Sequence, residues 1–244
     1  MCIRDRPLLA QVSFERSSLF VINNGGSLAL DGLSISGKNS PDSSGNTFAR
    51  TAKWGMLTNY RLSVSNSVIK DLDINHSFHF FDSGSRAFAD SIDIHNNVFE
   101  NITGDLFRLN KEQDDLGIYN AEYLNIHSNK IVDVQGALVN LYRGGKDEST
   151  FGPHLNFTKN TVKNASHGKR NKSGSAIKLH GVQATRIEDN TFDDSLLIDV
   201  EHTVGEPITK ITSNQFKRTV SPKVVELYAP MPHTATIENN LVIK

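Results

Sequence analysis

The sequence predicts an all-β chain wound into a right-handed parallel β-helix of about eight coils. Three observations point there: a short motif recurring every 24 to 34 residues, a second apolar alternation after most copies, and a composition rich in Asn, Ser and Asp. A solenoid with a thin core and many polar turns suits that mix; a helical bundle does not.

The motif is an apolar residue, then Asn or Ser three positions on, then another apolar residue two further. It reads Val64, Ser67, Ile69; then Ile94, Asn97, Phe99; then Ile126, Asn129, Ile131; then Phe157, Asn160, Val162. Three more copies are Ile187, Asn190, Phe192; Ile211, Asn214, Phe216; and Ile237, Asn240, Val242, with a degenerate Leu30, Leu33, Ile35 ahead of them all. The interval shrinks from 34 residues (Leu33 to Ser67) to 24 (Asn190 to Asn214).

Apolar residues on either side of a tight turn can face one core, and an Asn at the turn tolerates left-handed geometry and bonds nearby backbone. Stacked coils would align Asn97, Asn129, Asn160, Asn190, Asn214 and Asn240 into a ladder, each amide bonding the next. With strands about 4.8 Å apart, eight coils make a rod on the order of 40 Å long. The second alternation reads Phe78 with Phe80, Leu138 with Leu141, Ile177 with Leu179, Ile198 with Val200, and Val225 with Leu227. Each coil therefore carries at least two inward-facing strands. Lys111–Asp115 is the one stretch that suggests a helical turn.

A chain of 244 residues can bury one domain's core. Its net charge of −1 excludes bulk electrostatic attraction to nucleic acid or a membrane, so a polyanionic partner needs a local basic patch. Cys2 is the single cysteine, so no internal disulfide forms. No run is long and apolar enough to span a bilayer. Met1–Arg6 lacks the apolar stretch of a signal peptide. Residues 1–13 read as a non-native or disordered leader and 14–244 as the β-helix, a fragment of a longer parent. A solenoid cut there leaves an open strand edge near Phe14–Ile22, which favours self-association.

Several blocks go beyond a generic solenoid. Asn23-Asn24-Gly25-Gly26-Ser27-Leu28 runs into Leu33-Ser34-Ile35-Ser36-Gly37, and later come Asn75-His76-Ser77-Phe78 and Asp115-Leu116-Gly117-Ile118-Tyr119-Asn120. Leu141-Tyr142-Arg143-Gly144-Gly145 leads through Asp147-Glu148-Ser149-Thr150-Phe151-Gly152-Pro153 to Lys169-Arg170-Asn171-Lys172-Ser173. Leu179-His180-Gly181-Val182 and His202-Thr203-Val204-Gly205-Glu206-Pro207 complete the series. In this order, from about Phe14 to the end, they resemble the second β-helix domain of two-domain polysaccharide lyase family 6 alginate lyases, relatives of chondroitinase B.

The resemblance implies a parent enzyme, secreted or periplasmic in a bacterium, that cleaves alginate by β-elimination. It also implies that chemistry belongs to the first β-helix, where a Lys base and an Arg act beside calcium. The family's catalytic stretch carries Glu-x-Glu, Lys-Ser and Arg-His-Gly. No Glu-x-Glu occurs here, Leu179-His180-Gly181 has Leu where the Arg belongs, and Lys172-Ser173 lies too close to it. No catalytic residue carries over. The fragment is expected to need no cofactor of its own, and its expected partners are an acidic polysaccharide, the missing N-terminal catalytic β-helix and a second copy of itself.

The residues could still support contact with a polyuronate. Lys178 and His180 flank Leu179, so an inward Leu179 puts both on the outer face, near Tyr142 and Arg143 of the coil before. Arg143, Lys178 and His180 are the local catalytic candidates. Tyr142, Arg143, Lys169, Arg170, Lys172, Lys178 and His180 form the candidate saccharide strip. Lys159, Lys163, Lys169, Arg170, Lys172, Lys178 and Arg186 are seven basic residues with no acid between them, which suits either a polyuronate or an edge facing a partner. The acids Asp193, Asp194, Asp199, Glu201 and Glu206 read as solvated turns, His76 and His79 as outer-face residues, and no metal site is assigned. Three functions remain in play: a non-catalytic accessory domain, an active lyase, and a structural or carbohydrate-binding β-helix.

Overall fold

The computed structural model describes residues 2–4, 18–23, 25–52, 59–112, 119–146, 152–228 and 234–243. Its strands form three parallel sheets of nine, eight and eight strands, with no helix among the described residues. Each coil visits the first, second and third sheet in turn. The fourth coil, for instance, runs through Ala121–His127, Lys130–Val134 and Val139–Arg143, and the fifth through His154–Thr158, Thr161–Ala165 and Ile177–His180. Seven coils are complete from Ser27–Asp31 to Lys223–Glu226, and Thr234–Glu238 with Leu241–Ile243 begin another. Ahead of them, Ser18–Ile22 pairs into the third sheet and Cys2–Arg4 into the first.

The repeated motif straddles the corner between the first two sheets. Its leading apolar residue ends a strand of the first sheet and its trailing one opens a strand of the second. In-register pairing stacks Leu30, Val64, Ile94, Ile126, Phe157, Ile187 and Ile211 in one inward row. Ile69, Phe99, Ile131, Val162, Phe192 and Phe216 make the row across the corner. All are fully buried, and each such side chain contributes about 1.5–3 kcal/mol. The rings of Phe192 and Phe216 stack at 5.3 Å.

Between these rows the amides run in one line. Asn129 shows the pattern: its Oδ1 accepts from the backbone N–H and the Nδ2 of Asn97, at 2.9 and 3.0 Å. Its own Nδ2 donates to Asn160 Oδ1 and to the Ile94 carbonyl, both at 3.0 Å. The same bonds link Asn160 to Asn190, Asn190 to Asn214 and Asn214 to Asn240. At the other end Ser67 takes the Asn's place: its N–H donates to Asn97 Oδ1, and its hydroxyl accepts from the Leu33 N–H.

The left-handed residue of each turn is the one before the ladder position. Asn66, Asn96, Ser128, Lys159, Asp189, Ser213 and Asn239 all have φ between 50° and 58°. From the sequence, that geometry is expected at the ladder Asn itself. The amide must lie between coils, so no ladder Asn takes a positive φ and its neighbour absorbs the turn. At the next corner the coils close tightly on glycine: a Cβ on Gly136 would sit 2.4 Å from the Gly104 carbonyl carbon.

Each coil has three strands, in keeping with the expected minimum of two, because the motif itself spans two of them. Two further expectations need correction. In Lys223–Glu226 the inward residue is Val224, paired with Val200, while Val225 pairs with the outer Glu201 and Leu227 is 41% exposed. Lys111 and Glu112 end the strand Phe107–Glu112, whereas 113–115 of the expected helical turn lie outside the described residues. So do most of the leader and residues 115–118 and 147–151 of the family-like blocks.

Candidate functional site

The outer face of the third sheet carries the candidate residues, and strand alternation decides which of them reach it. In Val139–Arg143 the inward positions are Val139, Leu141 and Arg143, leaving Asn140 and Tyr142 outside. In Ile177–His180, Lys178 and His180 take the outward positions, but His180, expected to face solvent, is only 3% exposed. In Ile198–His202, Asp199 and Glu201 take them. Parallel register then makes two outer rows: Asn140, Lys178, Asp199 and Lys223; and Tyr142, His180, Glu201 and Val225.

The result is a closed network. Lys178 Nζ donates to Asp199 Oδ2 at 2.7 Å and also to Glu201 Oε1. His180 Nδ1 lies 2.9 Å from Glu201 Oε2. On its other side His180 stacks flat on Tyr142, with centroids 4.0 Å apart and planes 4° from parallel. Burial alone would lower the Lys178 pKa, but its bonds to Asp199 and Glu201 outweigh that and hold it above the usual lysine value. Burial would likewise raise Glu201, yet Lys178 and His180 hold it below the usual carboxylate range. Lys178 is therefore a charged donor, the opposite of a general base, which must be neutral near working pH. An ionised Glu201 makes His180 Nδ1 the donor of that bond and leaves Nε2 outside it. That Nε2 is buried with no hydrogen-bond partner.

Arg143 does not join the strip. It is 5% exposed, donates from Nη1 to the Gly152 carbonyl at 2.8 Å, and places its guanidinium 4.7 Å over the Tyr119 ring. Its role is to clamp the segment at Gly152 and Tyr119. Lys169, Arg170 and Lys172 lie away from the sheet, exposed on the loop between Thr161–Ala165 and Ile177–His180. Arg170 reaches back along the rod to donate to the Asn75 carbonyl.

The seven-residue basic run is not one patch. It spans a whole coil, so its members distribute around the rod: Lys163 on the second sheet, Lys178 on the third, Arg186 on the first and bonded to Glu188. Only the loop residues remain neighbours. Four of the five acids form ion pairs: Asp193 with Arg218 at 2.6 Å, Asp194 with His167 at 3.2 Å, and Asp199 and Glu201 with Lys178, whereas Glu206 is exposed as expected. No group of three His, Cys, Asp or Glu converges as a metal site among the described residues.

His79, expected on the outer face, is buried. Its Nδ1 accepts from the Asp105 N–H at 2.9 Å. Burial pushes His79 down to about 3 and Asp105 up to about 6. Asp105 Oδ1 in turn accepts from the Ala137 N–H at 2.8 Å. Nothing in the local sequence marks Asp105; the signal lies in its alignment with the next coil.

No family model matches the chain, and no curated protein does. Among solved structures it is similar to the PL6 family alginate lyase AlyGC, with 50% identity over 93% of this chain and a TM-score of 0.89. An alanine variant of that enzyme gives the same identity and a TM-score of 0.90. The chain spans 31% of the length of each. With half of its residues identical across nearly its whole length, on one and the same solenoid, the chain belongs to polysaccharide lyase family 6.

Proposed function

We propose that this chain is an accessory, non-catalytic β-helix of an alginate lyase. In this reading β-elimination takes place elsewhere in the parent, where any calcium also acts. The observation that carries it is the state of the Lys178–His180 cluster on the outer face of the third sheet. Elimination needs a neutral base that reaches the C5 proton, and a cation or donor that neutralises the uronate carboxylate. Lys178 is instead held charged between two carboxylates, and Arg143 is buried on a backbone carbonyl. The partners in this reading are the catalytic β-helix of the parent, a second copy of the chain, and an acidic polysaccharide met by Lys169, Arg170 and Lys172.

Incubating the purified chain with alginate tests it: no unsaturated uronate should accumulate by ultraviolet absorbance. A steady rise that disappears in Lys178→Ala would overturn the proposal. One observation favours the active-lyase reading, namely the Glu201–His180 pair with its unpartnered Nε2. If that pair is the base, His180→Gln removes all turnover while alginate binding persists.

A further inference from the structure

Across the corner from the third sheet, the strands Tyr60–Ser65, Ala89–His95 and Ala121–His127 open a groove of about 480 Å³ on the first. Its lining includes Arg61, Phe88, Asp90, Tyr119, Glu122 and Tyr123, and its size falls in the ~300–1,000 Å³ range of small-ligand sites. None of these residues belongs to the candidate strip.

The groove is built around an aromatic platform. Register puts Arg61, Ser91, Tyr123 and His154 in one outer row on successive coils. Tyr123 stacks on His154 at 5.1 Å and 20°, and remains 46% exposed. Backed by the imidazole on one side, the ring turns its other face toward small Ser91, where the groove lies. Tyr119 closes the end: its hydroxyl donates to Glu122 Oε2 at 2.6 Å, and its ring meets Phe88 edge-on at 4.8 Å. Asp90 is positioned by Asn59 Nδ2 at 2.7 Å and Arg61 Nε at 3.3 Å.

Charge selects the ligand. Among the described lining residues one guanidinium, Arg61, faces two carboxylates, Asp90 and Glu122, and this net negative charge disfavours a uronate. An uncharged pyranose fits both features. Its C–H face can stack on Tyr123, while its hydroxyls donate to the carboxylates and accept from Arg61. We propose that this groove binds a neutral pyranose unit of a polysaccharide, stacked on Tyr123. The inference stands apart from the accessory reading, because it concerns a different face and a different ligand class.

The test is saturation-transfer NMR and calorimetry on the whole chain with two probes. One is β-1,4-linked mannohexaose; the other is the mannuronate hexamer, which shares its ring configuration and adds a carboxylate to every unit. Mannohexaose should bind saturably and lose at least tenfold in affinity in Tyr123→Ala, an outer-face truncation that leaves the core intact. Asp90→Asn should raise uronate affinity severalfold by removing repulsion. Absence of mannohexaose binding, or binding that Tyr123→Ala leaves unchanged, overturns the site. Uronate binding that Tyr123→Ala abolishes, or that Asp90→Asn leaves unaltered, overturns its neutral preference.

Discussion

The asparagine corner and the outer face of the third sheet are stacked by the same in-register pairing, yet only the corner repeats. A neutral amide is donor and acceptor at once, so each Asn can bond an identical Asn above and below without limit. A charge has no such symmetry. Lys178 cannot sit beside another lysine, so its neighbours are Asp199 and Glu201 and the pattern ends within two coils. Repetition marks what holds the rod together, and its interruption marks where one coil is made different from the next.

The largest expected effect comes from breaking the repeated side. Asn160→Ala removes the amide that accepts from Asn129 and donates to Asn190, stranding polar groups on both sides in the core. It should destabilise the chain by about 3 kcal/mol. Asn240→Ala has a ladder partner on one side only and should cost about 1 kcal/mol. Urea midpoints at unchanged slope measure both. Equal losses at the two positions would show that the ladder does not act through its neighbours.

A carboxylate doing an amide's task lets the comparison be sharpened. Asp105 Oδ1 accepts the Ala137 N–H across coils, as a ladder Asn would, but burial pushes its carboxyl up to about 6 from 3.8. A raised carboxyl means that the folded state binds more protons. Stability is then full below the ordinary carboxylate range and declines as pH rises toward about 6. Asp105→Asn keeps the acceptor without the charge and should stabilise by about 1–3 kcal/mol at neutral pH. The gain should vanish near pH 4, which urea midpoints across pH would show. His79 slopes the other way: pushed down to about 3, it weakens the fold as pH falls below its usual range.

The charged side should respond less. Lys178→Met leaves Asp199 and Glu201 together without their cation, and should cost about 1–2 kcal/mol at neutral pH. Glu201 is held low, so its stabilising contribution exists above the ordinary carboxylate range and is lost as pH falls through its depressed value. The difference between variant and parent should therefore close in acid, and Glu201→Gln added to the variant should restore part of the loss. A difference independent of pH would mean that Lys178 acts through packing of its chain.

The sequence was most legible where period alone carries the information. Asn97 through Asn240 could be aligned without coordinates because one motif frames all of them. Lys178 and its partners were visible too, but as a basic run and an acidic cluster kept apart. Adding one coil, from 178 to 199 and from 180 to 201, would have joined them. The coil length varies, so that offset is uncertain to within a residue, and one residue flips a strand's face. The same slip placed Val225 inside in place of Val224. Arg143 was lost differently: strict alternation from Leu141 points it inward, against the expectation that a guanidinium stays in water. Its bond to Gly152 reverses that expectation, and the partner is invisible until the chain closes on it.

The smallest structural effect is expected on the exposed loop, where neither repetition nor pairing acts. Lys169→Ala with Lys172→Ala removes two solvated charges and should shift stability by less than about 0.5 kcal/mol. Retardation in alginate gels is the measurement that separates this region from the sheet. Two cations at one corner attract a polyanion whatever its fine structure, within a Debye length of about 10 Å at 0.1 M salt. The double variant should migrate faster in alginate than the parent chain, and the gap should narrow as salt is added. Lys178→Met should leave migration unaltered, since its charge is already matched by Asp199 and Glu201. Should Lys178→Met weaken retardation as much as the loop variant does, the ion-paired face rather than the loop meets the polymer.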